Sequence, residues 1–75
     1  MPTGTAADIE NEIKKHIDAS RAAARKPIAT SYPAIAPLGI NDEQGFNWTA
    51  TGSTDDLAES LAAIVKVRAD GWQLP

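Results

Sequence analysis

Isoleucine returns every fourth residue early in the chain, at Ile9, Ile13 and Ile17, with Ala24 further along the stripe and Ala6 and Ser20 filling it. That spacing marks a helix with one apolar side and predicts a helix from about residue 6 to 26. Thr5, followed three residues later by Asp8, reads as an N-cap with its capping-box partner. Asp8, Glu10 and Glu12 occupy the early turns and Arg21, Arg25 and Lys26 the late ones, the order that the helix dipole favours. Pro27 ends the helix, because it disfavours helical geometry at Lys26 and has no N–H.

The middle of the chain is less regular. Ile28-Ala29-Thr30-Ser31-Tyr32 reads as a short strand over about 28–32, stopped by Pro33. Pro33, Pro37, Gly39 and Gly45 punctuate the next stretch, and Asn41-Asp42-Glu43-Gln44-Gly45 reads as a polar turn. Phe46, Trp48 and Ala50 then alternate with Asn47, Thr49 and Thr51, the pattern of a half-buried strand over about 46–51. Ser53, followed three residues later by Asp56, is a second capping signature. It opens a helix over about 54–70, whose apolar stripe is Leu57, Leu61, Ile64, Val65 and Arg68, with Ala58 and Ala62 beside it. Gly71 stops that helix, and residues 71–75 form a tail. The expectation is one α+β domain over 1–75, ordered α–β–β–α. Two helices pack on a short antiparallel hairpin that carries a long proline-containing loop, since two strands alone are marginal in water.

Composition thins the core. Of the 32 hydrophobic residues, 14 are alanine, which leaves 18 larger side chains and no cysteine to staple them. Burying one large side chain contributes roughly 1.5–3 kcal/mol and an alanine methyl much less, so a partner or a second copy is a natural way to complete such a core. The net charge of −3 disfavours nucleic acid, where phosphate neutralisation supplies most of the affinity. There is no 18-residue apolar run to span a membrane and no basic-plus-apolar start resembling a secretory signal. The absence of cysteine fits the cytoplasm, and without a secretory signal the Asn47-Trp48-Thr49 glycosylation pattern is idle.

Candidate chemistry is sparse. Asp8, Glu12, His16 and Ser20 lie four residues apart along one side of the first helix. As an acid–base–nucleophile series they lack oxyanion donors, since the N–H groups of a regular helix are already used. As metal ligands, Asp8, Glu12 and His16 lack the second His or Cys of a zinc site. A solvated face with a Glu12–His16 pair accounts for them, so no catalytic, metal or cofactor-binding residue is assigned. Lys14, Lys15, Arg21, Arg25 and Lys26 oppose only Asp18 between residues 14 and 26. Dipole complementarity, with Glu10–Lys14 and Asp18–Arg21 pairs, explains most of this; a surface for an acidic partner or for nucleic acid is the alternative. Trp48 belongs to the core, whereas Trp72, beyond the helix stop, either anchors in a partner or folds back over the hydrophobic seam. Either role makes residues 72–75 matter. The apolar loop around Ile35, Leu38 and Ile40 either packs inside or meets a partner.

The α–β–β–α order, with a strand leading into a Ser/Thr-Asp capped second helix, is loosely similar over Phe46–Ala62 to small phage head–tail joining proteins. That resemblance implies a subunit of an assembly. The favoured reading is a non-enzymatic protein-binding or assembly protein, of the phage or bacterial kind: a subunit, an inhibitor or a structural component. Its partner is another protein or a second copy, and its location the cytoplasm, or the virion if phage-encoded. The expected contacts are Ile35, Leu38, Ile40, Trp72 and Leu74, with Lys14, Arg21, Arg25 and Lys26 as electrostatic contacts. The second reading is a nucleic-acid-associated regulator using the basic face, and the third a metal-assisted enzyme on the Asp8–Glu12–His16 ladder.

Overall fold

Local signals set the first helix. The computed structural model describes residues 2–54 and 56–75, and α1 runs Ala6–Ala23. Both halves of the capping box form: Thr5 Oγ1 accepts from Asp8 N–H at 3.2 Å, and Asp8 Oδ2 accepts from Thr5 N–H at 3.0 Å. The helix stops three residues short of Lys26 because Arg25 adopts the left-handed conformation, φ 57°. Arg25 N–H then bonds Ala22 O and Lys26 N–H bonds Arg21 O, the paired closure of a Schellman motif. Ile9, Ile13 and Ile17 are fully buried, and the fourth place on their stripe goes to Arg21.

The hairpin is β1 (Ala34–Pro37) paired antiparallel with β2 (Trp48–Thr51). This corrects the expected first strand at 28–32. Residues 28–32 are irregular, with Ile28 turned out to solvent and Ala29 buried. The strand lies instead inside the expected proline loop, and its proline is harmless for a geometric reason. Pro37 is opposite Trp48, while the next residue, Leu38, donates its N–H to Asn47 O at 3.0 Å. Hydrogen-bonded and non-hydrogen-bonded pairs alternate in an antiparallel ladder, so Pro37 stands where β2 asks for no donor. Ile35, two residues earlier, likewise points its N–H away from β2 and gives it to Glu10 Oε2 of α1 at 2.9 Å.

The second helix, α2, spans Leu57–Ala69. It starts later than expected because the N-cap is Asp56, whose side chain accepts from Glu59 N–H at 3.2 Å, not Ser53; Asp55, within the expected start at 54–70, lies outside the described residues. Gly71, at φ 83°, closes it. The core joins the three isoleucines of α1 to Ile35, Trp48, Ala63 and Val67, with Ala29 at its edge. The tail folds back over this core. Gln73 N–H donates to Pro2 O and Gly4 N–H to Gln73 O. Asn47 and Leu74 exchange two hydrogen bonds. Trp48 is fully buried, and its indole N–H is satisfied by Trp72 O at 2.8 Å. Among the described residues no helix is long and apolar enough to cross a membrane.

Candidate functional site

Helix α2 is turned the opposite way from what side-chain size suggests. Its buried positions are Ser60, Ala63 and Val67, while Leu57, Leu61 and Val65 are 62%, 52% and 65% exposed. The three are four residues apart and so stack along one side of the helix, flanked by exposed Ala58, Ala62 and Ala69. The polar residues of α2 lie largely off this face. Glu59 reaches inward to Arg21, with Nε–Oε1 2.7 Å and both side chains 7% exposed. Ser60 Oγ accepts from Thr54 N–H inside the structure at 2.9 Å. Volume explains the choice: the isoleucine stripe of α1 is bulky, and the small Ser60–Ala63 side lets the two helices approach closely.

Beside this face an open groove of about 470 Å³ runs between α2 and β2, lined by Thr49, Ala50, Leu61, Ile64 and Val65, with Gln44 and Arg68 at one end. Arg68 is held in place there. Its guanidinium carbon sits 5.1 Å from the Phe46 ring centroid and 5.2 Å from that of Trp48, and those rings meet edge-on at 6.0 Å. Nη1 donates to Gln44 Oε1 at 3.2 Å, and Nη2 lies 3.8 Å from Asp42 Oδ2; Nε is buried with no hydrogen-bond partner among the described residues. Asp42 organises the loop that carries Phe46 by accepting from the N–H groups of Gln44 and Phe46. The hydrogen bond from Phe46 N–H does most to hold its carboxyl below the ordinary value, aided by Gln44 and the Arg68 charge, against a desolvation that pushes the other way.

The expected contact residues separate into two groups. Ile35 is core, and Trp72 and Leu74 are half-buried against it, so the fold-back is the arrangement of the tail. Leu38 and Ile40 stay at the surface, 39% and 76% exposed. Most of the basic set meets partners within the chain, while Arg25 stands exposed at the close of α1. Arg21 is buried, giving Nη1–H to Pro27 O at 3.1 Å as well as pairing with Glu59, which removes it from any surface. Lys26 lies 3.9 Å from Asp56, and Lys15 3.0 Å from Glu12. Lys14 stands 5.4 Å over the Tyr32 ring. The Tyr32 hydroxyl donates to Asp18 at 2.5 Å, a bond that raises its pKa above the ordinary phenol value, with burial adding to the rise.

The polar ladder of α1 does not act as one array. Asp8 is engaged by the cap, and Glu12 takes Lys15, not the expected His16. His16 and Ser20 line a hollow of about 50 Å³ with Glu59 and Lys66. Among the described residues no three His, Asp or Glu side chains come together as metal ligands.

The outer face of α2 escaped sequence reasoning, although a signal was present: between Leu57 and Val65 the only polar residues are Glu59 and Ser60, adjacent in the chain. A helix with no broad polar side either is buried all round or meets something. No family model, curated protein or solved structure matches the chain.

Proposed function

We propose that this chain is a non-enzymatic binding or assembly module, a small subunit of the phage or bacterial kind that its element order resembles, and that it docks through the outer face of α2. One observation carries this reading: Leu57, Leu61 and Val65 stand in solvent on one continuous side of a helix. A small soluble domain rarely leaves such a patch uncovered unless it is used. The groove against β2 widens the surface, and Arg68, clamped by Phe46, Trp48 and Gln44, gives it a rigid polar border. Such an apolar centre with a polar edge is the layout of a protein contact. The nucleic-acid alternative has less behind it, since Lys14, Lys15, Arg21 and Lys26 each have a partner within the chain.

The test compares the chain with a Leu57→Asp/Leu61→Asp variant. If the face is for docking, circular dichroism and thermal melting stay nearly the same, while binding of an apolar fluorescent dye and retention on a phenyl column fall sharply. A variant that unfolds, or a parent chain that binds neither dye nor column, sinks the reading.

A further inference from the structure

We propose that residues 72–74 are an internal ligand, seated on a peptide-recognition site formed by residues 2–4 and 45–48. The external ligand of that site is an extended segment of another protein that presents a glutamine followed by a bulky apolar residue. The seat is separate from the outer face of α2 and does not depend on it. Its own strap shows the pose and the chemistry of what it binds.

The seat reads main chain first. Gln73 N–H donates to Pro2 O at 3.1 Å, and Gln73 O accepts from Gly4 N–H at 3.0 Å, which sets Gln73 parallel to Thr3 in an isolated bridge. At the next residue the Asn47 carboxamide stands in for a second strand. Its Oδ1 accepts from Leu74 N–H at 2.9 Å and its Nδ2 donates to Leu74 O at 3.0 Å. The Trp48 indole N–H donates to Trp72 O at 2.8 Å. The main-chain groups of Gln73 and Leu74 are thus all satisfied, and main-chain hydrogen bonds are what give affinity for an extended peptide of any origin.

The side chain at position 73 is read as well. Gln73 Oε1 accepts from Asn47 N–H at 3.1 Å, and Nε2 donates to Gly45 O at 3.0 Å. That pair asks for an acceptor and a donor on one planar group. A carboxamide supplies both, whereas glutamate would set a carboxylate oxygen against the Gly45 carbonyl. A site of this kind discriminates well, because the wrong residue leaves one of its polar groups unpaired. Leu74 adds apolar packing against the core. Position 72 is more permissive. Its ring fits where Gly4 has no Cβ, and it borders an open hollow beside Asp8, Asn11 and Glu12.

The strap is exchangeable. It begins after Gly71, where α2 has already closed through the N–H groups of Asp70 and Gly71, so lifting it leaves the helix intact. Trp72, Gln73 and Leu74 are each half-buried, and an incoming peptide reproduces their bonds one for one. An empty seat leaves the Trp48 indole and the Asn47 carboxamide without these partners, which favours refilling. The strap competes from within the chain at an effective concentration in the millimolar range, as for a short tether. The intact chain therefore takes an external segment weakly, and a chain with a weakened strap takes it well.

The test uses the whole chain carrying Gln73→Ala and a dye-labelled synthetic peptide of residues 70–75, followed by fluorescence anisotropy. The peptide is expected to saturate the variant and to bind the parent chain at least about tenfold more weakly, because the parent's strap fills the seat. Peptides with Gln73→Glu or Gln73→Ala should bind the variant at least about tenfold more weakly than the glutamine peptide, as for buried polar groups left unpaired. The NMR signals of the Asn47 carboxamide and the Gly4 amide should move with the glutamine peptide. If Gln73→Ala is unfolded on its own, the peptide should restore its helical circular dichroism. Neither binding nor refolding at millimolar peptide overturns the proposal, and so does equal binding of the glutamine and glutamate peptides. Adding Leu57→Asp/Leu61→Asp should leave peptide binding unchanged; its loss would put the peptide on α2 and overturn the seat, whereas failure of the α2 reading alone leaves the seat standing.

Discussion

Arg21 and Glu59, 38 positions apart in the chain, join α1 to α2 through a buried ion pair at 2.7 Å. Arg21 Nη1 also donates to Pro27 O, and Thr54 Oγ1 lies 3.4 Å from the same Glu59 oxygen. Removing one partner of a buried pair leaves an uncompensated charge and costs about 3–5 kcal/mol, whereas apolar replacement of both is often neutral. Arg21→Met or Glu59→Leu alone is therefore expected to unfold much of the population, and the double variant to recover most of the loss. Urea denaturation of the four proteins measures the coupling; two additive losses would show that the pair does not act as a unit.

Gly4 and Trp72 are packed without slack. A Cβ at position 4 would lie 2.8 Å from Trp72 Cζ3 and 2.8 Å from Asp8 Cβ. Gly4→Ala should cost about 1–3 kcal/mol, the range for overpacking. Adding Trp72→Leu should return part of it, because the obstructing ring is gone. A melt of Gly4→Ala identical to that of the parent would contradict this packing.

Removal of residues 72–75 exposes the seam and deprives the Trp48 indole of its acceptor. A buried donor left unsatisfied costs about 1–3 kcal/mol, and the lost burial of Trp72 and Leu74 adds roughly as much again. For a small domain with a thin core this is a large share of total stability. The truncated chain is expected to melt far below the parent or to be largely unfolded at 25 °C by circular dichroism.

Arg25 holds φ 57° at the close of α1. Left-handed geometry costs a non-glycine residue about 1–2 kcal/mol, partly offset by glycine's greater freedom in the unfolded chain. Arg25→Gly should therefore stabilise by up to about 1 kcal/mol and raise Tm by a few degrees, while Arg25→Ala stays near neutral. Calorimetry decides it, and a lowered Tm for the glycine variant would refute the account.

Asp42 makes acid sensitivity local. Its carboxyl is held below the ordinary value in the folded chain, chiefly by the hydrogen bond from Phe46 N–H. A depressed folded pKa contributes stability in full above the unfolded pKa of about 4 and loses it as pH falls through the folded value. The acid limb of a stability–pH curve should accordingly be shallower for Asp42→Asn, with the two curves converging at low pH. Parallel curves from pH 6 to pH 2 would rule this out.

The sequence made some of this legible. α1 was readable because an isoleucine repeat and the Thr5–Asp8 box are signals within one helix. β1 was not, because Ala34-Ile35-Ala36-Pro37 has little strand character of its own; it is a strand because Trp48 and its neighbours lie opposite it. Arg21 looked like a surface cation because its partner is remote in sequence. The stripe of α2 was visible as a period, but a period does not say which way a stripe points. Fit against the bulk of Ile13 and Ile17 settled that, sending Ser60 and Ala63 inside. The candidate site lies on the residues that this exchange left outside.

The clasp between Pro2–Gly4 and Gln73 encloses nearly the whole chain in a single loop. Closing a loop of about 70 residues costs on the order of 4 kcal/mol of chain entropy, and the Gln73–Pro2 hydrogen bond joins positions 71 residues apart. Fraying at either end therefore releases the other. The amides of Gly4 and Gln73 and the indole of Trp48 are expected to exchange their hydrogens together, as one opening unit.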